Sequence, residues 1–97
     1  MPDKALKVAL HKIGRTQKRL LRHVAVAERV RSRVLWEPAE LGARWGVTTS
    51  MVTQAGRALH RRRLVGVDSY VRRWHAVWLT PLGRRAVEAL WADGVDV

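Results

Sequence analysis

The chain has 97 residues, of which 47% are hydrophobic and none is cysteine, and 19 Lys and Arg against 8 Asp and Glu give a net charge of +11. This length and apolar content predict one domain with one modest core, and the lack of cysteine and of any long apolar run excludes disulfides, thiolate metal sites and a membrane helix. The positive surplus exceeds what a solvated surface requires, so we expect a polyanion as partner. The lack of cysteine and of a secretory signal fits a cytoplasmic location, and the lack of a long apolar run leads us to expect no membrane contact.

Residues 3–34 have the pattern of a basic helical region. Gly14 is expected to break or bend it, since an interior Gly costs about 1 kcal/mol relative to Ala. Thr16 could then cap a second helix that runs to about Arg33. The apolar side chains recur every three or four positions and form one stripe: Leu6, Leu10, Ile13, Leu20, Val24, Ala27 and Val34. The sequence does not decide whether the helix continues through Gly14.

The first part of this stripe admits more than one interpretation. Its large side chains, which are Leu6, Leu10 and Ile13, can pack onto the core of the same chain or against a second copy. The segment can also act as a basic arm that contacts the polyanion. We divide the chain into a basic helical arm, residues 1–14, a folded domain, residues 15–92, and a frayed tail, residues 93–97.

A short strand and a helix are expected next. Residues 34–36 are β-prone, and Pro38 marks a helix start, where its missing N–H costs nothing. Leu41 and Trp45 are spaced to face the core. Gly46 is placed to end this helix in the left-handed conformation.

A second helix should begin after Thr48 as N-cap and run to about Arg62 or Arg63. Its apolar face, expected to be buried, consists of Val52, Ala55, Gly56 and Leu59. The other face is neutral and polar, then basic, and it has no carboxylate: Thr49, Ser50, Thr53, Gln54 and Arg57. An ordinary exposed face would mix charges, so this composition favours contact with nucleic acid.

The arginines at the end of this helix have two open interpretations. Arg61, Arg62 and Arg63 can contact phosphate, or they can complement the negative end of the helix dipole.

Two strand-like segments, residues 64–68 and 74–79, predict a β-hairpin. Its tip carries Tyr70, Arg72 and Arg73, and such arginines suit a phosphate backbone or a narrow minor groove.

The strand after the hairpin tip should place Val77 and Leu79 inward, with Trp74 and Trp78 outward. Exposed aromatic side chains often mark interfaces, so we predict a partner surface at Trp78 or Trp91. The alternative is that both fold back onto the first helix. Of the remaining tryptophans, Trp36 and Trp45 are expected in the core.

A last helix is predicted with Thr80 as its cap and Pro81 in its first turn. Its apolar stripe consists of Leu82, Ala86, Val87 and Leu90.

Catalysis and metal binding are not expected. The histidines, which are His11, His23, His60 and His75, show no ligand spacing with carboxylates. The chain also lacks a Gly-rich phosphate loop and a nucleophile elbow, so we predict neither enzyme activity nor a cofactor.

Taken in order, helix, tight turn, polar helix and hairpin give the layout of a winged helix-turn-helix. Residues 17–90 resemble the MarR and PadR-like bacterial regulators, and three segments carry the resemblance: residues 39–48 (AELGARWGVT), residues 50–54 (SMVTQ) with Leu59, Leu64 and Val65, and residues 79–84 (LTPLGR). The resemblance implies a mostly α fold with a small β-hairpin wing, preceded here by a helical extension. In such families Gly is common where this chain has Arg63, and the last helix is often longer.

The resemblance implies a sequence-specific regulator of double-stranded DNA, a repressor more often than an activator, that acts in the nucleoid as a homodimer. The residues expected in the major groove are Thr49, Ser50, Thr53, Gln54 and Arg57, and those expected on the backbone or in the minor groove are Arg72 and Arg73. Thr48, Arg61 and Tyr70 are expected to contact the DNA as well. The expected dimer or partner interface is Leu6, Leu10, Ile13, Trp78 and Trp91. Two alternatives stay open: a low-specificity architectural or replication-associated DNA binder, and a winged-helix module that grips a partner protein, as phage-encoded inhibitors do.

Overall fold

The computed structural model describes residues 3–31 and 33–91. Within them the elements are α1 (Lys4–Leu10), α2 (Arg15–Ala27), β1 (Val34–Leu35), α3 (Pro38–Trp45), α4 (Thr49–Arg61), β2 (Val65–Tyr70), β3 (Arg73–Leu79) and α5 (Pro81–Leu90). The strands form one antiparallel sheet in the order β1-β3-β2. The expected class, mostly helical with a small hairpin, is therefore confirmed. The tail predicted for residues 93–97 lies outside the described residues.

The N-terminal region consists of two helices, so of the break or bend expected at Gly14 the structure has the break. Gly14 is itself the N-cap of α2, with extended backbone angles and no side chain to accept a hydrogen bond. The prediction that Thr16 is the cap was wrong, because the chain enters the helix directly after Gly14 and leaves Thr16 within the first turn.

α2 also ends earlier than predicted, at Ala27 rather than near Arg33. The next residue, Glu28, lies beside the sheet, where its carboxylate accepts a 2.7 Å hydrogen bond from the Leu79 N–H. This long-range bond joins the end of α2 to the end of β3.

α3 and α4 follow the predicted pattern closely. Gly46 has a φ of 69°, the left-handed conformation expected at the end of α3. Thr48 then caps α4, because its hydroxyl oxygen accepts a 3.0 Å hydrogen bond from the Met51 N–H. The two helices are thus joined by a short turn whose residues set both helix ends.

α4 ends in a Schellman motif. The Leu64 N–H donates to the Leu59 carbonyl at 3.0 Å, and the Arg63 N–H donates to the His60 carbonyl at 3.0 Å. Arg63 has a φ of 63°, a conformation that usually belongs to glycine at this position. The motif turns the chain directly into β2.

The hairpin contains a β-bulge that the sequence pattern does not show. Ser69 pairs with Trp74, whereas Asp68 pairs with Ala76, so His75 is an extra residue in β3. One extra residue in a strand exchanges the inward-facing and outward-facing positions for the residues that precede it. The prediction that Trp74 points outward with Trp78 was therefore wrong: Trp74 packs against the core.

The core lies between α2, α4, α5 and the inner face of the sheet. Its largest fully buried side chains are Leu20, Leu21, Val24, Val52, Leu59 and Leu64. α5 closes it, and the cap predicted at Thr80 is confirmed by a 2.9 Å hydrogen bond from the Gly83 N–H to its hydroxyl oxygen. In the described part of the chain, no helix combines the length and the apolar character needed to cross a membrane.

The arm helix α1 packs against α5 and the core of its own chain. Asp3 caps its start by accepting hydrogen bonds from the backbone N–H groups of Ala5 and Leu6 at 3.0 and 3.3 Å. The apolar side chains predicted for a dimer interface, Leu6, Leu10 and Ile13, are half-buried against this core. Burial within the chain thus accounts for the stripe, and its role between two copies stays a prediction.

Candidate nucleic-acid interface

The polar face of α4 lies on the surface of the domain. Thr48, Thr49, Ser50, Gln54 and Arg57 are exposed. Thr53 in the same helix is half-buried. The Gln54 side-chain amide donates a long 3.5 Å hydrogen bond to the Ser50 hydroxyl, one turn earlier on the same face.

Burial of the opposite face fixes which side of α4 faces outward. Val52 and Leu59 have no solvent exposure, and Gly56 lies against the indole of Trp36. A β-carbon at Gly56 would overlap the edge of that ring, so the missing side chain permits the close approach. The helix cannot rotate about its axis without breaking this packing, and its polar face is held outward.

The tip of the hairpin, residues 70–73, is exposed throughout. Val71 and Arg72 form a two-residue loop with φ values of 51° and 62°, the combination that a type I′ turn requires. Val71 is 75% exposed although it is apolar and β-branched, and its positive φ is unfavourable for such a residue. The tip therefore holds an apolar side chain in solvent next to two arginines.

A cleft of about 350 Å³ lies between α4 and the hairpin tip. Side chains from both elements line it, together with the segment that follows β1: Trp36, Pro38, Thr53, Arg57, Arg72, Arg73 and Trp74. The structure thus brings Thr53 and Arg57 together with the hairpin arginines on one surface.

Two tryptophans form the apolar wall of this cleft. The ring centroids of Trp36 and Trp74 are 5.1 Å apart, and the ring planes are tilted by 56°. On its other side, Trp74 makes an edge contact with His60, at 5.6 Å between centroids. Sequence reasoning missed this wall because the bulge at His75, which turns Trp74 inward, leaves no mark in the alternation of apolar residues.

Among the residues that the structure describes, neighbouring carboxylates do not neutralise the arginines of this surface. The ion pairs found among residues 3–31 and 33–91 join Arg33 to Asp68, Arg44 to Glu40, Arg84 to Glu28 and Arg85 to Asp3. Within those ranges, none involves an arginine of α4 or of the hairpin tip. Their positive charge is therefore free to act on a ligand.

The arginines at the end of α4 differ in their surroundings. Arg61 is exposed. Arg62 instead turns toward the arm, where its guanidinium donates hydrogen bonds of 2.7 Å to the carbonyl oxygens of Ala9 and His11. Arg62 therefore binds carbonyl groups at the end of α1 rather than those at the end of its own helix. Neither of the two interpretations of the sequence included this contact.

The predicted partner surface at Trp78 and Trp91 is largely covered by the chain itself. Trp78 is half-buried, its indole packs over Gly66, and the Arg33 guanidinium lies 5.8 Å from the ring centroid. Trp91 packs against the core. Neither contact of Trp78 is with the first helix, so packing of both tryptophans onto that helix and an interface at this surface both stay predictions.

His23 lies away from this surface, between α2 and α3. Burial lowers the pKa of His23 from its ordinary value, the Arg44 guanidinium lowers it further, and the Glu40 carboxylate opposes the shift. Its ring makes an edge contact with Trp45 at 6.0 Å between centroids. Among the described residues, no group of three His, Asp or Glu side chains is arranged to hold a metal ion.

No family model, no curated protein and no solved structure matches this chain. Its function is therefore inferred from the residues and geometry of its own surface.

Proposed function

We propose that the protein is a sequence-specific double-stranded DNA-binding regulator, a repressor more than an activator, with a winged helix-turn-helix fold similar to that of MarR and PadR-like regulators. One observation carries this proposal. Thr53 and Arg57, which belong to the polar face of α4, border one cleft together with the arginines of the hairpin tip, and no carboxylate lines it within the described residues. A single DNA duplex can contact both elements at once.

α4 is the element that enters the major groove. A helix fits that groove, and the donor and acceptor pattern of its base edges distinguishes all four base pairs. The Gln54 amide can pair with adenine through two hydrogen bonds, and Thr49, Ser50 and Thr53 offer hydroxyl groups and, for the threonines, methyl groups. Arg57 follows at the edge of this face, where α4 meets the cleft.

The hairpin acts as the wing. Arg72 and Arg73 lie where the DNA backbone or the adjacent minor groove would pass, and guanidinium groups bind phosphate and narrow minor grooves. These contacts raise affinity for any sequence and fix the register of α4 on the duplex. The protein binds as a homodimer in this proposal, so that its two copies read an inverted repeat.

Selection on a randomised duplex library at near-physiological salt tests the proposal. An enriched inverted repeat supports both sequence-specific binding and the dimer, and its spacing gives the distance between the two copies of α4. An enriched single half-site keeps the regulator and removes the dimer. Retention of DNA without enrichment indicates an architectural or replication-associated binder. No retention contradicts the proposal and favours the protein-interaction module.

A further inference from the structure

We infer that the cleft between α4 and the hairpin tip is a binding site for one nucleotide unit, with its phosphate on the arginines and its sugar or base against the tryptophan pair. Where that unit belongs to a DNA strand, the inference rests on the proposed function and adds a defined contact to it. A free nucleotide offers the same chemistry, and the experiment below distinguishes the two sources.

Charge is the first feature that points to a phosphate. Arg57 lies on the helix side of the cleft, and Arg72 and Arg73 lie on the hairpin side. Three guanidinium groups from two elements therefore border a volume of about 350 Å³. Like charges repel one another, and an anion placed between them relieves that repulsion while accepting their hydrogen bonds.

The aromatic wall is the second feature, and it goes beyond what an anion alone would need. Trp36 and Trp74 contribute ring surface to the cleft and stay half-buried rather than fully covered. Nucleic-acid sites that combine a positive groove with aromatic side chains bind bases by stacking, independently of sequence. A phosphate that carries a sugar and a base uses both features, whereas a bare phosphate uses only one.

Size limits the ligand to a single unit. Pockets for small ligands range from about 300 to 1,000 Å³, and the cleft lies near the lower end of that range. It can hold a nucleotide, whereas a duplex can only lay one strand across it.

The cleft also has a fixed shape. Trp36 is held by its contact with Gly56 on α4, and Trp74 is held between Trp36 and His60. The hairpin and α4 are thus connected through packed rings, which join the two sides of the cleft. In this site Arg57 binds phosphate, which separates its role from that of Gln54 on the same helix.

The indole N–H signals in ¹⁵N NMR spectra of the full chain test the site directly. The chain has 5 tryptophans. Trp36→Phe and Trp74→Phe identify the two cleft signals, and the other indoles serve as internal references. Three probes are added separately: a mixed-sequence duplex of about 16 base pairs, deoxyadenosine monophosphate, and inorganic phosphate. Fluorescence anisotropy of the labelled duplex reports in parallel whether DNA binds at all.

The site predicts that the Trp36 and Trp74 signals shift with the duplex or the nucleotide, and less with inorganic phosphate. Arg57→Gln combined with Arg73→Gln should remove these shifts. Arg84→Gln, which changes an exposed arginine in another cavity, should leave them unchanged. Shifts with the duplex alone identify a DNA strand as the source, and shifts with the nucleotide as well show that free nucleotides occupy the site.

Failure of the site and failure of the proposed function give different results. If the duplex binds but neither it nor the nucleotide shifts the two cleft signals, the site is wrong and DNA binding stands. If neither this duplex nor the randomised library binds but the nucleotide shifts both signals, the proposed function is wrong and the site stands. If no probe binds, both are wrong.

Discussion

The guanidinium of Arg62, just after α4, donates a 2.7 Å hydrogen bond to the carbonyl oxygen of Ala9 in α1. It also donates to the carbonyl oxygens of His11 at 2.7 Å and Lys12 at 3.4 Å. The last carbonyl groups of a helix have no partner within it, and a cation beside them favours the negative end of the helix dipole. One side chain thus joins the arm to the end of α4.

Arg62→Ala should lower the free energy of unfolding by about 2 kcal/mol, because several carbonyl groups lose a charged donor. Urea denaturation followed by circular dichroism measures the change. Arg61→Ala is the matched control: Arg61 is exposed, and its removal should change stability by less than about 0.5 kcal/mol. Equal effects of the two substitutions would show that the bonds from Arg62 to the arm do not stabilise the fold.

Local signals in the sequence predicted much of this architecture. Pro38, Gly46, Thr48 and Thr80 each act within a few residues of their own position, and the helix boundaries they predicted agree with the structure. The two-residue loop of the hairpin was harder to predict from the sequence, because valine, which occupies position 71, is unusual in a left-handed conformation. Local rules for helix caps and turns thus predicted the structure correctly where the residue present is one that commonly occupies that position.

The features that sequence reasoning missed depend on contacts between distant segments. Arg62 bonds to residues 50 or more positions away, and Glu28, just after α2, bonds to the backbone N–H of Leu79. The cleft exists because the bulge at His75 turns Trp74 toward Trp36. The arginines of the surface could be named from the sequence, but not their common cleft, since neither the bulge nor the tertiary contact has a local signature.

Gly56→Ala should destabilise the protein, although alanine favours helix formation over glycine by about 1 kcal/mol. The added methyl group would overlap the edge of the Trp36 ring, and overpacking of this kind costs about 1–3 kcal/mol. Thermal and urea denaturation measure the net loss. Helix propensity alone would increase the free energy of unfolding, so the sign of the measured change in stability decides between helix propensity and overpacking.

A double-mutant cycle isolates the contact between Gly56 and Trp36. Trp36→Phe, which shortens the ring, should cost less in the Gly56→Ala background than in the wild type. Additive effects of the two substitutions would contradict the contact.

Arg63→Gly should stabilise the protein by about 1 kcal/mol. Arg63 occupies the left-handed position of the Schellman motif, where a side chain is unfavourable by roughly 1–2 kcal/mol and the greater chain entropy of glycine offsets part of the gain. The melting temperature should rise by about 4–8 °C. Arg61→Gly, within the helix, should instead destabilise it by a similar amount. Destabilisation by both substitutions would show that the Arg63 side chain contributes more than its backbone costs.

Stability should fall as the pH decreases below about 6.5, with a contribution from His23. Burial lowers the pKa of His23 in the folded protein, and Arg44 adds to this effect against Glu40. The unfolded chain therefore binds a proton at His23 at a higher pH than the folded one does, which favours unfolding as the pH falls. The His23→Gln variant has no side chain at position 23 that binds this proton, so the stability of the variant should decrease less between pH 7 and pH 5 than that of the wild type. Denaturation across this range compares the two proteins, and parallel curves would exclude the contribution.

Gln54→Ala and Arg72→Ala should weaken DNA binding in different ways. In the proposed complex Gln54 reads a base, so Gln54→Ala should cost about 1–3 kcal/mol on the selected sequence and little on random DNA. Arg72 contacts the backbone, so Arg72→Ala should weaken both sequences equally and reduce the slope of log K against log salt concentration by about one. Anisotropy titrations of both duplexes at several salt concentrations separate these effects. Equal losses on the two sequences for Gln54→Ala would remove the base-reading role from α4, because a residue that distinguishes bases cannot contribute the same free energy to every sequence.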